Sequence, residues 1–243
     1  MKQKLNSIFS FLQENRCYNK VVQENFYLSA INPLEKTENK VIKLLYDIAN
    51  TQSQPKIDKL ATFFKKICEE AHTLKTFKGF LSKFSKNPDL SFKNLYESLR
   101  IQSGWGNKTA ALFVKTIFHL HNGYYKSELK IWEDAPKKIE KSDDFYLPVD
   151  AVIIAVFKKI APDKNWNFNL VTNEIKKYFK GEEIEVWDDL WFWGFITQKG
   201  GGTNRIFEWN ENKYWMMKES EKDPSRILEI KCKANNFIEL LSK

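Results

Sequence analysis

Gly104-Trp105-Gly106-Asn107-Lys108-Thr109, running on into Ala110, Ala111, Leu112, Phe113 and Val114, is the stretch on which the fold turns. A Gly-x-Gly turn opening straight into an apolar helix aims backbone N–H groups outward. First-turn amides have no intrahelical acceptor, so such a helix start holds an anion such as phosphate. Upstream, Ser91 is placed to cap a helix carrying Phe92, Leu95 and Leu99. Downstream, Asn107 is placed to cap one running through Leu112, Phe113, Thr116 and Ile117 and ending near Asn122-Gly123. The two helices flank a tight hairpin, with Lys108 in the first turn beside whatever the hairpin grips. Further on, Leu147-Pro148-Val149-Asp150 sets an Asp just before Ala151, Val152, Ile153, Ile154, Val156 and Phe157, the place of a helix N-cap.

Outward from the hairpin, apolar residues recur at spacings of three and four, with Gly and Pro between segments, so the fold class is all-α. Val41, Leu44, Leu45 and Ile48 form one stripe, and Ile57, Leu60, Phe63, Phe64 and Ile67 another, with Pro55 expected in its first turn. Segments from Leu170 to Tyr178 and from Glu185 to Gln198 continue the series. A Gly200-Gly201-Gly202 break and a closing helix capped by Asp223 complete it. One short β-hairpin is expected near the C-terminus, pairing Ile206–Trp209 with Tyr214–Met217 around Asn210 to Lys213. Residues 126–144 are charged and patternless apart from Trp132, which reads as a surface insertion or a frayed helix, with Lys137, Lys138 and Lys141 on a solvated face.

Lys+Arg 39 against Asp+Glu 31 gives a net charge of +8 over 243 residues, a balance that favours polyanionic partners. The excess is mostly lysine, so base reading by arginine forks is not expected to dominate. Cys17, Cys68 and Cys232 are scattered, with no Cys-x-x-Cys and no His at ligand spacing, so neither a disulfide framework nor a zinc or iron–sulfur site is indicated. His119 and His121 lie two apart on different helix faces and do not form a metal pair. The opening residues lack the continuous apolar run of a signal peptide or membrane span. A soluble, cytoplasmic, DNA-associated monomer is the expectation.

At these motifs the chain resembles the helix-hairpin-helix DNA glycosylase superfamily, which includes endonuclease III, the adenine glycosylases acting opposite oxidised guanine, and the 8-oxoguanine glycosylases. The endonuclease III pattern is Leu-Pro-Gly-Val-Gly-Arg-Lys-Thr-Ala followed by Val-Asp-Thr-His. This chain has Gln-Ser-Gly-Trp-Gly-Asn-Lys-Thr-Ala at 102–110 and Val-Asp-Ala-Val at 149–152. It departs at Gln102, Ser103 and Trp105, and its spacing from Lys to Asp is longer than most members show. A fainter match is Thr51-Gln52-Ser53-Gln54, similar to the Gln-Gln-Thr-Gln of the adenine glycosylases, in which a glutamine probes the duplex at the extruded base. The likeness covers roughly Thr37 to Phe157. The iron–sulfur cysteines of endonuclease III are missing, which points to the cluster-free branch and to 8-oxoguanine as the favoured base.

The resemblance implies two helical lobes with a DNA-binding cleft between them, one over residues 35–147 and the other formed by 1–34 with 148–243. It implies a DNA glycosylase with abasic-site lyase activity in base-excision repair, acting on double-stranded DNA that carries a damaged base or abasic site. Breaking an N-glycosidic bond builds positive charge on the sugar, which a nearby carboxylate stabilises; Asp150 is the candidate. Lys108 is the candidate nucleophile at C1′, active only as the free amine. Gln52 is placed to fill the gap left by the flipped nucleotide. Gly104, Gly106 and Asn107 belong to the DNA-binding hairpin, whose Gly104, Gly106 and Lys108 amides would face phosphates. Relatives imply a sodium or potassium ion on the carbonyls of Arg100, Gln102 and Trp105; no other cofactor is expected. Trp193 and Trp215 are candidates for stacking on the extruded base, against the core packing that helical spacing favours for tryptophans here. Two alternatives stay open: a non-catalytic binding module in which Asp150 only caps, and a glycosylase without lyase activity in which Asp150 activates water.

Overall fold

The computed structural model describes residues 1–87, 89–140, 143–201 and 205–242; Lys141 and Gly202, named above, lie outside them. Among the described residues the helices are α1 (Lys2–Glu14), α2 (Arg16–Ile31), α3 (Thr37–Ala49), α4 (Ile57–Glu69), α5 (Phe77–Ser82), α6 (Phe92–Arg100), α7 (Asn107–His121), α8 (Ala151–Ile160), α9 (Phe168–Lys176), α10 (Glu182–Val186), α11 (Asp189–Ile196), α12 (Glu211–Met216) and α13 (Pro224–Ser242). Short 3₁₀ turns cover Ala71–Lys75 and Ser127–Leu129, and strands β1 (Gln198–Lys199) and β2 (Ile206–Phe207) pair near the C-terminus. The architecture is mostly helical. The chain divides into two compact units, Met1–Phe26 with Val149–Lys243, and Tyr27–Pro148. The first division falls inside α2 instead of at 34/35, because the helix runs unbroken to Ile31 and Tyr27 already bonds His119, at 2.9 Å.

The unit formed by Tyr27–Pro148 is organised around α7. That helix is buried along almost its whole length, with Lys115, Thr116, His119 and His121 buried beside its apolar residues, the behaviour of a central helix rather than a surface one. Helices α6 and α3 pack on it, and α5 packs on α6. Phe63, Phe77, Phe80, Phe92 and Phe113 are almost fully buried in this core. Ser91 caps α6 through the Asn94 N–H, as its position predicts.

Residues 126–144 depart from expectation. Leu129, Ile131, Trp132, Ala135 and Ile139 are buried, and the Trp132 indole N–H donates to the Leu74 carbonyl at 2.8 Å. Asp134 accepts from the N–H groups of Phe77 and Lys78 at 2.8 and 2.9 Å, and Asp143 from those of Phe92 and Lys93 at 3.0 and 2.8 Å. The segment therefore caps the N-termini of α5 and α6. Trp132 packs on Phe77 and Phe80 of α5 and on His121 of α7, contacts between residues apart in the chain that a local period does not register.

In the unit formed by Met1–Phe26 and Val149–Lys243, α8 packs against α9, α11 and α13, while α1 packs against α13 and α10. The run from Glu185 to Gln198 is two helices, divided at Trp187–Asp188. The carboxylates on either side of the division meet one guanidinium: Arg16 Nη2 lies 2.6 Å from Glu185 and Arg16 Nε 3.0 Å from Asp189. The C-terminal hairpin is also corrected. β2 pairs antiparallel with β1, Gln198 opposite Phe207, whereas Tyr214–Met216 is helical. Asn210 decides this, because its side chain accepts from the Lys213 N–H and starts α12 instead of turning a strand.

Candidate nucleic-acid site

Gly104 makes the hairpin possible. Its φ is +80°, and a Cβ there would lie 2.7 Å from Leu60 Cδ2 and 2.9 Å from the Leu60 backbone nitrogen. Trp105 anchors the turn from below, nearly buried against Phe63 and Phe113. The Trp105 N–H closes the turn onto the Gln102 carbonyl at 3.0 Å. Gly106, extended, is the N-cap of α7, and Asn107 is the first helical residue rather than the cap. The Thr109 hydroxyl reaches back to accept the Gly106 N–H at 3.0 Å. That amide, expected to face phosphate, is thus satisfied internally by a capping-box partner. By helix geometry the amides of Asn107, Lys108 and Thr109 are left without an intrahelical acceptor, the first bond of the helix running from Ala110 N–H to the Gly106 carbonyl.

These residues line a groove of about 630 Å³ within the Tyr27–Pro148 unit. Gln52, Ser53, Gln54, Lys56 and Lys59 form one wall, and Arg100 to Thr109 form the other. The walls are tied together: Gln52 Nε2 donates to the Gly104 carbonyl at 3.2 Å, and Lys108 Nζ donates to the Thr51 carbonyl at 3.2 Å. Four cations, Lys56, Lys59, Arg100 and Lys108, line the groove, and no Asp or Glu among the described residues does. No carboxylate among the described residues pairs with Lys108, whose side chain is half-buried. Ile101, 68 % exposed, stands on the wall between Arg100 and Gln102. Of the carbonyls expected to hold a cation, that of Gln102 already accepts the turn's N–H, which leaves it one lone pair.

Asp150 belongs to the other unit. It is the N-cap of α8, with Oδ1 accepting from the N–H groups of Val152 and Ile153 at 2.9 and 3.1 Å. Its Oδ2 accepts the Trp191 indole N–H at 3.0 Å. Trp193 is fully buried against Phe11, Tyr18 and Phe192, so it is a core residue and offers no face to a base. Trp215 is 49 % exposed, with its indole N–H on Glu211 at 3.3 Å and the Lys222 ammonium over its ring. The groove therefore gathers Gln52, Arg100, Gln102, Gly104, Trp105, Gly106, Asn107 and Lys108, while Asp150, Trp193 and Trp215 lie in the other unit.

Sequence reading gave no role of its own to Thr51, which opens the Gln52 motif, to Lys56 and Lys59, or to Trp191 as a partner of Asp150. The first three sit in or beside the Gln52 motif and could have been found by asking what surrounds it. Trp191 carries no local signal, because its partner is 41 residues away. Among the described residues no group of three or more His, Cys, Asp or Glu is placed to hold a metal ion, and no helix is long and apolar enough to cross a membrane. The chain matches no family model, no curated protein and no solved structure.

Proposed function

We propose that this chain is a helix-hairpin-helix DNA glycosylase with abasic-site lyase activity, removing a damaged base, 8-oxoguanine first among the candidates, from duplex DNA. The observation that carries this is the groove at the hairpin: three lysines and Arg100, the last ion-paired with Glu97, with no acid among the described residues lining the groove and with the Lys108 amine held on its wall by neutral oxygens. Such a surface suits a phosphodiester backbone, and its uncapped amides at Asn107, Lys108 and Thr109 suit one phosphate of it. In the reaction the Lys108 amine attacks C1′ as the C1′–N bond to the base breaks, and the base departs with the bonding electrons and takes a proton. The amine then loses a proton and the C1′–O4′ bond breaks, with O4′ taking a proton, which opens the sugar to an iminium; removal of a C2′ proton from that iminium expels the 3′ phosphate by β-elimination. The Asp150 carboxylate stabilises the positive charge that develops on the sugar.

A second reading draws on Asp150 itself. Both of its oxygens already accept N–H groups, three in all, which is what a purely capping residue does. In that case the protein binds DNA through the hairpin without reacting. Borohydride trapping separates the two on duplexes carrying oxidised, alkylated or deaminated bases or an abasic site. A covalent complex with the wild type that disappears in Lys108→Gln, with DNA affinity reduced only a few-fold, is the expected result. Absence of an adduct and of base release across the whole panel overturns the enzyme assignment, and persistent nicking by Lys108→Gln removes Lys108 as the nucleophile.

A further inference from the structure

Around Asp150 a column of side chains runs along the surface of its unit. Beyond the Asp150–Trp191 hydrogen bond, the Trp191 ring stacks on Phe195, with centroids 5.0 Å apart and planes 10° from parallel. Lys213 Nζ lies over the Phe195 ring, 4.9 Å from its centroid. All three side chains are half-buried. The Lys213 backbone is fixed as well, since its N–H donates to the Asn210 side chain that starts α12.

No carboxylate among the described residues pairs with the Lys213 ammonium. The charged group that acts on it is another cation, Arg205, and burial together with that neighbour holds the amine below the ordinary lysine range. Arg205 is anchored in turn: its Nη1 donates to Gln198 Oε1 at 2.6 Å. Gln198 is completely buried, with Nε2 on the Val152 carbonyl in the first turn of α8, the helix that Asp150 caps. An ammonium half-withdrawn from water, with no carboxylate partner among the described residues, is electrostatically unfavourable until an anion arrives. The aromatic face offsets only part of this. A phosphodiester drawn toward the Asp150 carboxylate would be repelled by it, and a cation on the same surface counters that repulsion.

We propose that Lys213, shelved on Phe195, binds a backbone phosphate of DNA engaged at Asp150, with its ammonium donating to a non-bridging oxygen. This rests on the glycosylase assignment, and it gives the Asp150 unit a DNA contact of its own. A lysine is a compact point charge, so the contact holds the backbone and carries no base specificity.

The test is the affinity for a duplex carrying a tetrahydrofuran abasic analogue, measured by fluorescence anisotropy from about 50 to about 200 mM salt, the range in which phosphate contacts separate. Wild type, Lys213→Met and Lys213→Arg are compared, with thermal unfolding as the control for folding. Loss of one phosphate contact lowers the slope of log affinity against log salt by about 0.9, so Lys213→Met loses about 3.5-fold less affinity than wild type over that range. Lys213→Arg restores the slope. A folded Lys213→Met with the wild-type slope overturns the proposal while leaving the glycosylase assignment intact. A reduced slope in a protein that traps no covalent adduct supports the phosphate contact and removes the enzyme. Wild type that does not bind the duplex overturns both.

Discussion

Gly104 and Gly106 lie two positions apart in one turn, yet they are glycines for different reasons. At Gly104 the positive φ and the Leu60 backbone behind it both exclude a side chain. Gly104→Ala is expected to cost about 1–3 kcal/mol of stability through strain alone, read as a drop in thermal midpoint. Gly106 is extended, a conformation open to any residue, and a Cβ there meets nothing within 4 Å. Gly106→Ala is therefore expected to change stability by less than about 1 kcal/mol, because the gain of about 0.4–1 kcal/mol from a less flexible unfolded chain is opposed by the poorer N-cap that Ala makes. The added methyl group would point into open space on the groove wall, where a DNA backbone comes close, so duplex affinity is expected to fall in the same variant. A Gly106→Ala protein that is stable and binds duplex like wild type would show that nothing approaches the chain at that point. The glycines, Lys108 and Gln52 were all legible as residue types in a pattern, but the bonds from Gln52 to Gly104 and from Lys108 to Thr51 were not, because they join residues more than fifty positions apart.

The helices themselves follow from local chemistry. Apolar stripes at three and four spacing, Ser91 and Asp150 as caps, and Pro224 opening α13 all act within a turn or two of the chain. The segment at 126–144 does not work this way, because its Asp134 and Asp143 satisfy helix starts 57 and 51 residues away. Each carboxylate meets two successive orphan N–H groups and the positive end of a helix dipole. Asp134→Ala and Asp143→Ala are each expected to cost about 1 kcal/mol, within the usual 0.5–2 for a lost cap. The helices concerned are different, so the double variant should lose about the sum. Urea unfolding measures this; if neither substitution moves the midpoint, the segment is a covering without a structural duty.

At the scale of the whole molecule, two buried titratable groups, one in each unit, make stability respond to pH in opposite senses. Burial holds the His121 imidazole below its ordinary 6.5. Its neutral form is built into the core: Nδ1 donates to the Ile117 carbonyl at 2.7 Å, and Nε2 accepts the Trp132 N–H at 3.1 Å. Its contribution is present above pH 6.5 and is lost as pH falls toward the lower folded value, because the unfolded chain takes up a proton that the folded one refuses. Asp189 behaves conversely. Burial, with Glu185 adding to it and Arg16 opposing it, pushes its carboxyl up to about 8 from an ordinary 3.8. Its contribution is present below pH 3.8 and is lost as pH rises through about 8. Asp189→Asn removes that proton, so its unfolding free energy, measured from about pH 5.5 to about pH 7.5, should fall less steeply with pH than that of wild type, by up to about 1.4 kcal/mol per pH unit. Parallel profiles would place the proton elsewhere in the Arg16 cluster.

The sequence by itself determined the helical class, most helix positions and the glycine turn that opens α7, because each of these depends on residues within about one turn of one another. Tertiary structure alone decided that Trp193 is core, that Tyr214–Met216 is helix, that Trp191 holds Asp150, and that Lys213 rests on Phe195. Those outcomes are set by packing, which favours burial of apolar surface and a partner for each buried polar group. The partner is whichever distant residue the packing brings near, so no local pattern announces it.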